Sequence, residues 1–208
     1  MSSFSDFQPS SSEPKWNYDV FFSSSIDCFV IRSLKSSLRD AEIKTFIDDD
    51  DKKEIKPAIL RAIEESRTSL IVLTKDFGDS IERLKRLQKI MKCHRRKGQV
   101  VLPIYYDVNL WEVRKQSGRF GEAFEGLVKG TCVTQKEQMR WRRDFAQITS
   151  LPRWELSHLE WSSNNAIIIN SIKRILDNTS LLFIARHPVG IELRVKEVLQ
   201  LCHFVENV

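Results

Sequence analysis

Four short runs of apolar, β-branched and aromatic residues constrain the fold most: YDVFF at 18–22, IKTFI at 43–47, SLIVLT at 69–74 and VVLPIYY at 100–106. Each has the length and composition of a buried strand. Between them lie segments with helical spacing at 29–38, 57–66 and 80–97, the last with Ile81, Leu84, Leu87, Ile90 and Met91 on one face. Connections of this length are not hairpins, so successive strands must run parallel, with crossover helices covering both faces of a sheet. The punctuation agrees with the periodicity. Pro57 suits the first turn of a helix, Gly98 suits a C-terminal stop, and Thr134 with Glu137 has capping-box spacing ahead of a helical stretch at 139–148.

A fifth short strand near 153–156 completes a flavodoxin-like order, an α/β fold with a five-stranded parallel sheet and helices on both faces. Ligands in such sheets gather beyond the carboxyl ends of the strands. The segments to interrogate are therefore SSSID, DDDDKKE, KDFGDS and DVNLWEV, which follow Phe22, Ile47, Thr74 and Tyr106. A chain of 208 residues holds one such domain with trimmings. Residues 1–14, rich in Ser with two prolines, read as a disordered lead-in, 15–178 as the domain, and 179–208 as a connector-like amphipathic segment. Within the domain, 157–163 reads as a polar link to a last helix at 165–177.

Composition excludes several functions. Lys plus Arg number 33 against 28 Asp plus Glu, and both signs are interspersed, so the net charge of +5 does not mark a nucleic-acid binder. The four cysteines lie far apart, without C-x-x-C pairs, which argues against a disulfide scaffold or a zinc site. No run approaches the length of a membrane span, and the N-terminus lacks the order of a signal peptide. A cytoplasmic or nuclear location and no membrane partner are expected. The acidic run 48–51 lacks the spaced ligands and Gly of a calcium loop and reads as a solvated turn, so no metal is expected. Lys85, Arg86, Lys89, Lys92, His94, Arg95, Arg96 and Lys97 make the helix at 80–97 basic, read first as a solvated face whose cations suit a helix C-terminus, with contact to an acidic protein partner or to nucleic acid as the alternatives. The four histidines are scattered, and Trp141 and Phe145, four apart, read as core.

With these elements placed, the chain resembles one family, the plant type of TIR domain found at the N-terminus of many intracellular immune receptors. The carrying residues are YDVFF, IKTFIDD at 43–49, AIEESRTSLIVLTKDF at 62–77 and GQVVLPIYYDV at 98–108. Most specific is VRKQSGRFGEAF at 113–124, which follows the plant pattern V-R-x-Q-x-G-x-F-G-x-A-F. VGIELRV at 189–195 resembles the connector that leads, in full receptors, into a nucleotide-binding segment. No G-x-x-x-x-G-K-[ST] phosphate loop is present, so the chain reads as a receptor's front end truncated before that segment.

The resemblance implies an activity and questions it at once. Many TIR domains cleave NAD+ at the nicotinamide–ribose bond, through an oxocarbenium-like state that a carboxylate would stabilise. In plant members this Glu lies in S-x-W-C-L-x-E-L. Aligning residues 80–87, SIERLKRL, matches both leucines and puts Arg86 at the Glu position. A guanidinium repels a developing cation, by roughly 4 kcal/mol at about 4 Å and an effective dielectric of about 20. A rebuilt pocket would have to use Glu82, one turn earlier, or another acid. The loop after the first strand lacks the family's Arg, Gly and Glu, and DDDDKKEIKP at 48–57 is shorter than its counterpart and has no Gly. If NAD+ were bound as substrate, Ser23, Ser25, Asp27, Lys53 and Asp107 are the pocket candidates; no cofactor is required otherwise.

The resemblance also implies partners, namely other TIR domains in homo- or hetero-association and full-length immune receptors. One family surface carries a Ser-His pair on the first helix, where this chain has Arg32 and Ser33. A second surface is framed by Arg114, Gly118, Gly121, Trp141 and Arg142, which are retained, although the glycines could serve backbone geometry alone. The expected function is thus innate-immunity signalling through TIR–TIR contacts with degenerate catalysis. A weak NAD+ hydrolase producing ADP-ribose-type signals is the alternative.

Overall fold

The computed structural model describes residues 16–48, 56–156 and 161–184, with backbone alone for 161–164 and 179–184. The expected lead-in at 1–14, Lys53 and the rest of the acidic run after Asp48, and 185–208 lie outside the described residues. Five strands form one sheet in the order β2-β1-β3-β4-β5, with every pairing parallel. They are β1 (Tyr18–Ser23), β2 (Thr45–Asp48), β3 (Ser66–Leu73), β4 (Val100–Tyr106) and β5 (Trp154–Leu156). Among the described residues, seven α-helices accompany them: α1 (Phe29–Asp40), α2 (Pro57–Glu64), α3 (Ile81–Lys97), α4 (Leu110–Lys115), α5 (Gly118–Gly130), α6 (Gln135–Ile148) and α7 (Trp161–Ile184).

The period of two along each strand divides the core between the faces of the sheet. Phe21, Ile71, Leu73, Val101 and Tyr105 face α2, α3, α5 and α6, which contribute Ile63, Leu87, Phe124 and Trp141 among others. Val20, Phe22, Leu70, Leu102 and Ile104 face α1 and α7, meeting Leu34, Leu38, Ile168 and Ile172. Trp141 and Phe145 are 1% and 0% exposed, so the core reading of this pair holds. Phe124 and Phe120 meet Phe145 edge to face, and Phe124 meets Trp141 in the same way.

Three boundaries move from their expected places. β3 begins at Ser66 rather than near 69, because Tyr18 and Val20 of β1 pair with Ser66 and Thr68, and this central position buries residues that look polar in sequence. α7 begins at Trp161, inside the expected polar link, since Asn165 donates to the Ser33 and Ser37 hydroxyls of α1 and anchors the turn ahead of Ile168. It runs on to Ile184, past the expected stop at 177, because no glycine or proline intervenes before Pro188. The motif at 113–124 spans two helices, α4 and α5, joined by Gln116 and Ser117.

Punctuation signals convert directly into local bonds. Ser80 caps α3, its hydroxyl accepting from the Arg83 amide, and Gly98 closes α3 at φ +68. Thr134 and Glu137 form a capping box at α6.

A candidate site at the carboxyl edge of the sheet

Parallel strands bring their carboxyl ends to one edge, where the polar segments between strand and helix meet. Ser23, the last residue of β1, is buried and lies in register with Asp48 at the end of β2 and Ile71 of β3. Thr74 follows β3, Tyr106 ends β4 and Asp107 follows it. Asp107 adopts φ +48, a left-handed conformation that aspartate tolerates better than most residues, and its amide donates to the Leu156 carbonyl. Burial, with the Cys28 side chain as hydrogen-bond neighbour, pushes the Tyr106 hydroxyl up to about 12.

The decisive pair at this edge is Asp48 with Arg86. The Arg86 Nε lies 2.9 Å from the Asp48 carboxylate, and the two side chains are 5% and 1% exposed. Helical spacing explains the reach. Leu84, Leu87 and Ile90 bury one face of α3, and Arg86 lies beside that stripe, turned inward. The expectations of a solvated turn beginning at Asp48 and of a solvated face that includes Arg86 are corrected at these two residues: both are buried, and the guanidinium meets at contact distance a carboxylate from the edge strand. Sequence separation concealed this partner, and the one available signal was an Asp at the end of a strand in a parallel sheet.

Glu82, the substitute acid, is half-buried in the first turn of α3, and its carboxylate accepts a 3.2 Å bond from Ser80. It makes no hydrogen bond to Ser23, Ser25 or Asp27. Asp27 is exposed and pairs with Arg32 at 3.4 Å across the solvent. The Ser25 hydroxyl is buried without a hydrogen-bond partner. Of the five pocket candidates, four stand at the carboxyl edge, and Lys53 lies outside the described residues.

The basic face of α3 is largely consumed internally. Lys89 pairs with Glu64, and the Lys97 ammonium donates to the Glu64 carbonyl. Arg95 donates to the Asp144 carboxylate and the Gln147 amide oxygen, both at 2.7 Å. Asp144 is fully buried, and its pKa is raised by burial despite the opposing pull of Arg95. The His94 Nδ1 lies 2.8 Å from the Gln99 carbonyl, a structural role.

The framing residues of the second surface divide by burial. Trp141 and Gly121 are inside, whereas Arg114 and Gly118 are exposed and Arg142 half-exposed. Arg142 joins three helices: it pairs with Glu125 of α5, donates to the Gln116 side chain after α4 at 3.3 Å, and stacks 4.9 Å from the Phe124 ring centroid. Both glycines are required by geometry. Gly118 has φ +57, and a Cβ on Gly121 would lie 2.3 Å from the Gln116 carbonyl oxygen. Trp111, which motif reading did not single out, is 62% exposed beneath Arg114 and Lys115, each 5.8 Å from its ring centroid.

A profile described as TIR domain matches residues 17–187. The chain belongs to the TIR-domain family. This TIR domain is 37% identical over 216 residues to Disease resistance protein RPV1 of Vitis rotundifolia, covering 98% of the chain and 15% of that protein. It is 39% identical over 175 residues to RUN1 of the same species, covering 82% of the chain and 13% of RUN1. With Disease resistance protein RPP5 of Arabidopsis thaliana it shares 32% over 205 residues, 91% of the chain and 14% of RPP5. The TIR domain thus spans less than a sixth of the length of these relatives. Among solved structures it is similar to the TIR domains of the activated Roq1 resistosome that recognises the pathogen effector XopQ. The TM-score is 0.63 at 27% identity, covering 76% of this chain and 98% of that one. The five-stranded parallel α/β sheet is the architecture expected from the residues. Among the described residues, no helix is long and apolar enough to cross a membrane, and no group of three or more metal-ligating side chains is found.

Proposed function

We propose that this TIR domain is a plant innate-immunity signalling module that acts by contacting other TIR domains, in homo- or hetero-association and including those of full-length receptors, without hydrolysing NAD+. Its working place is the cytoplasm or nucleus, and it needs no cofactor. The carrying observation is the buried Asp48–Arg86 pair. Cleavage of a nicotinamide–ribose bond develops positive charge on the sugar and needs a carboxylate free to face it. At the position where the family resemblance puts that carboxylate stands a cation, already matched to Asp48. Glu82 is engaged by its own helix cap. The kinship with disease-resistance proteins supports the immune setting. The exposed Arg114 and Gly118, with half-exposed Arg142, leave the second surface available for pairing.

The test is NAD+ consumption by concentrated protein under crowding, with sedimentation of the same sample. An inert chain that associates with itself or with a TIR domain of a related receptor is expected. Turnover of NAD+ abolished by Glu82→Ala would establish the hydrolase reading instead.

A further inference from the structure

We propose that the outer face of α3 and α6 docks an acidic segment of another protein that carries an apolar side chain of its own; the proposal is independent of whether the domain hydrolyses NAD+. The two helices lie side by side, since Arg95 of α3 donates to the Asp144 carboxylate and the Gln147 side chain of α6. On α3 the internal bonds leave Lys85, Lys92 and Arg96, all exposed and without an ion pair among the described residues. From the first of these to the last the helix rises about 16 Å at about 1.5 Å per residue. α6 adds Lys136 and Arg140, equally exposed and unpaired among the described residues, and Arg143, which reaches the buried Asp144 at 3.5 Å. The carboxylates of the two helices are already engaged. Glu82 accepts from Ser80, Asp144 meets both Arg95 and Arg143, and Glu137 accepts from the Thr134 hydroxyl and amide with Lys85 and Arg140 in electrostatic range. The face therefore carries an excess of positive charge. The whole chain is itself +5, so its remaining carboxylates cannot neutralise this excess without uncovering cations elsewhere.

Two features separate this surface from an ordinary solvated one. A helix C-terminus accounts for Arg95 and Arg96 but not for Lys136, which stands in the first turn of α6, where the helix dipole disfavours a cation. No ion pair among the described residues offsets that placement. Met139 is 64% exposed on the same side of α6, one turn from Lys136 and Arg143. An apolar side chain amid cations distinguishes the occupant. An acidic protein segment can pair its carboxylates with the arginine forks and pack an apolar side chain on Met139, whose flexible thioether suits such contacts. A phosphate backbone supplies the charge without the apolar group, and no Phe, Tyr or Trp ring of α3 or α6 is exposed to stack a base.

The test follows the fluorescence anisotropy of labelled probes titrated with the full chain at about 50 mM and about 300 mM salt. The probes are a synthetic Glu-rich peptide with interspersed leucines, the same peptide with serine for leucine, and duplex DNA. Wild type should bind the leucine-bearing peptide saturably and in preference to DNA, with a loss of about fivefold or more at the higher salt. Lys92→Glu with Arg96→Glu, and Lys136→Glu with Arg140→Glu, should each weaken that binding about tenfold or more. Arg39→Glu with Lys173→Glu changes the net charge equally from α1 and α7 on the opposite face of the sheet, and should change binding by less than about threefold. Met139→Ser should weaken the leucine peptide about threefold or more and leave the serine peptide unchanged. Lys136→Glu alone should weaken binding without lowering the thermal midpoint, because a carboxylate suits the start of a helix. Should a double reversal not fold, the corresponding glutamine pair replaces it. Absence of saturable binding, equal weakening by the control pair, or a Met139→Ser variant that binds both peptides as wild type does would overturn the proposal. So would tighter binding of DNA, which would assign the face to nucleic acid, and self-association in sedimentation that the α3 and α6 reversals abolish, which would assign it to a second copy.

Discussion

Replacing Arg86 by methionine measures what the buried pair contributes to stability. At 2.9 Å the Coulomb attraction is about 6 kcal/mol for an effective dielectric of about 20. Desolvation costs several kcal/mol per ion, so the intact pair contributes little net stability. Removing one partner is different in kind, because the Asp48 carboxylate, 1% exposed, then stays buried without the Arg86 charge that lay 2.9 Å away. That cost is about 3–5 kcal/mol. Methionine retains an apolar stem, so little of the loss comes from an emptied cavity. For a domain of this size, with about 2–4 °C per kcal/mol, the midpoint should fall by roughly 6–20 °C. Urea unfolding followed by tryptophan fluorescence would read the loss directly, with m unchanged. Arg86→Met combined with Asp48→Asn, which removes both charges of the pair, should return most of it. A loss below about 1 kcal/mol for Arg86→Met would refute the reasoning, since it would mean that Asp48 is solvated or satisfied without Arg86.

Gly121→Ala should destabilise by about 1–3 kcal/mol in thermal unfolding, because its Cβ would meet a backbone carbonyl oxygen that cannot swing aside. Gly118→Ala should lose only about 1 kcal/mol, mainly from φ +57, because the atoms its Cβ meets belong to the movable Glu112 side chain. Asp144 has its folded pKa raised above the unfolded value, so its contribution is fully present below the unfolded pKa and lost as pH rises through the folded pKa. The stability of wild type relative to Asp144→Asn should accordingly fall between about pH 4 and a neutral buffer in paired urea titrations, and a difference that rises over that window would contradict the burial argument. Trp141→Ala should cost about 3–5 kcal/mol by the same unfolding assay, because the side chain is core. It should thereby weaken any self-association indirectly, whereas Arg114→Ala should alter association, read by sedimentation, with little change in midpoint.

The fold was largely legible in the sequence because the deciding signals are local. Four apolar runs, the helical stripes between them, Pro57, Gly98 and the Thr134–Glu137 spacing specify a parallel α/β sheet through periods of two and 3.6 and through caps, all within a few residues of chain. The same locality named the pocket edge, since carboxyl ends of parallel strands must meet, and the family resemblance carried by residues 80–87 implied that Arg86 stands at the Glu position. Boundaries set by distant contacts were not legible. Ser66 and Thr68 are polar in isolation and become strand because β1 lies beside them. Asn165 looks like linker and becomes helix because α1 offers two hydroxyls.

The pairing of Asp48 with Arg86 belongs to tertiary structure alone. The sequence by itself determined which charges exist and roughly which edge of the sheet they approach. Which carboxylate meets which cation, and whether water remains between them, depends on where the Arg86 side chain arrives when the leucines of α3 are buried. Electrostatic effects scale with separation and local dielectric, and packing sets both. The sign of a residue's charge can therefore be read from the chain, and its consequence only from the fold.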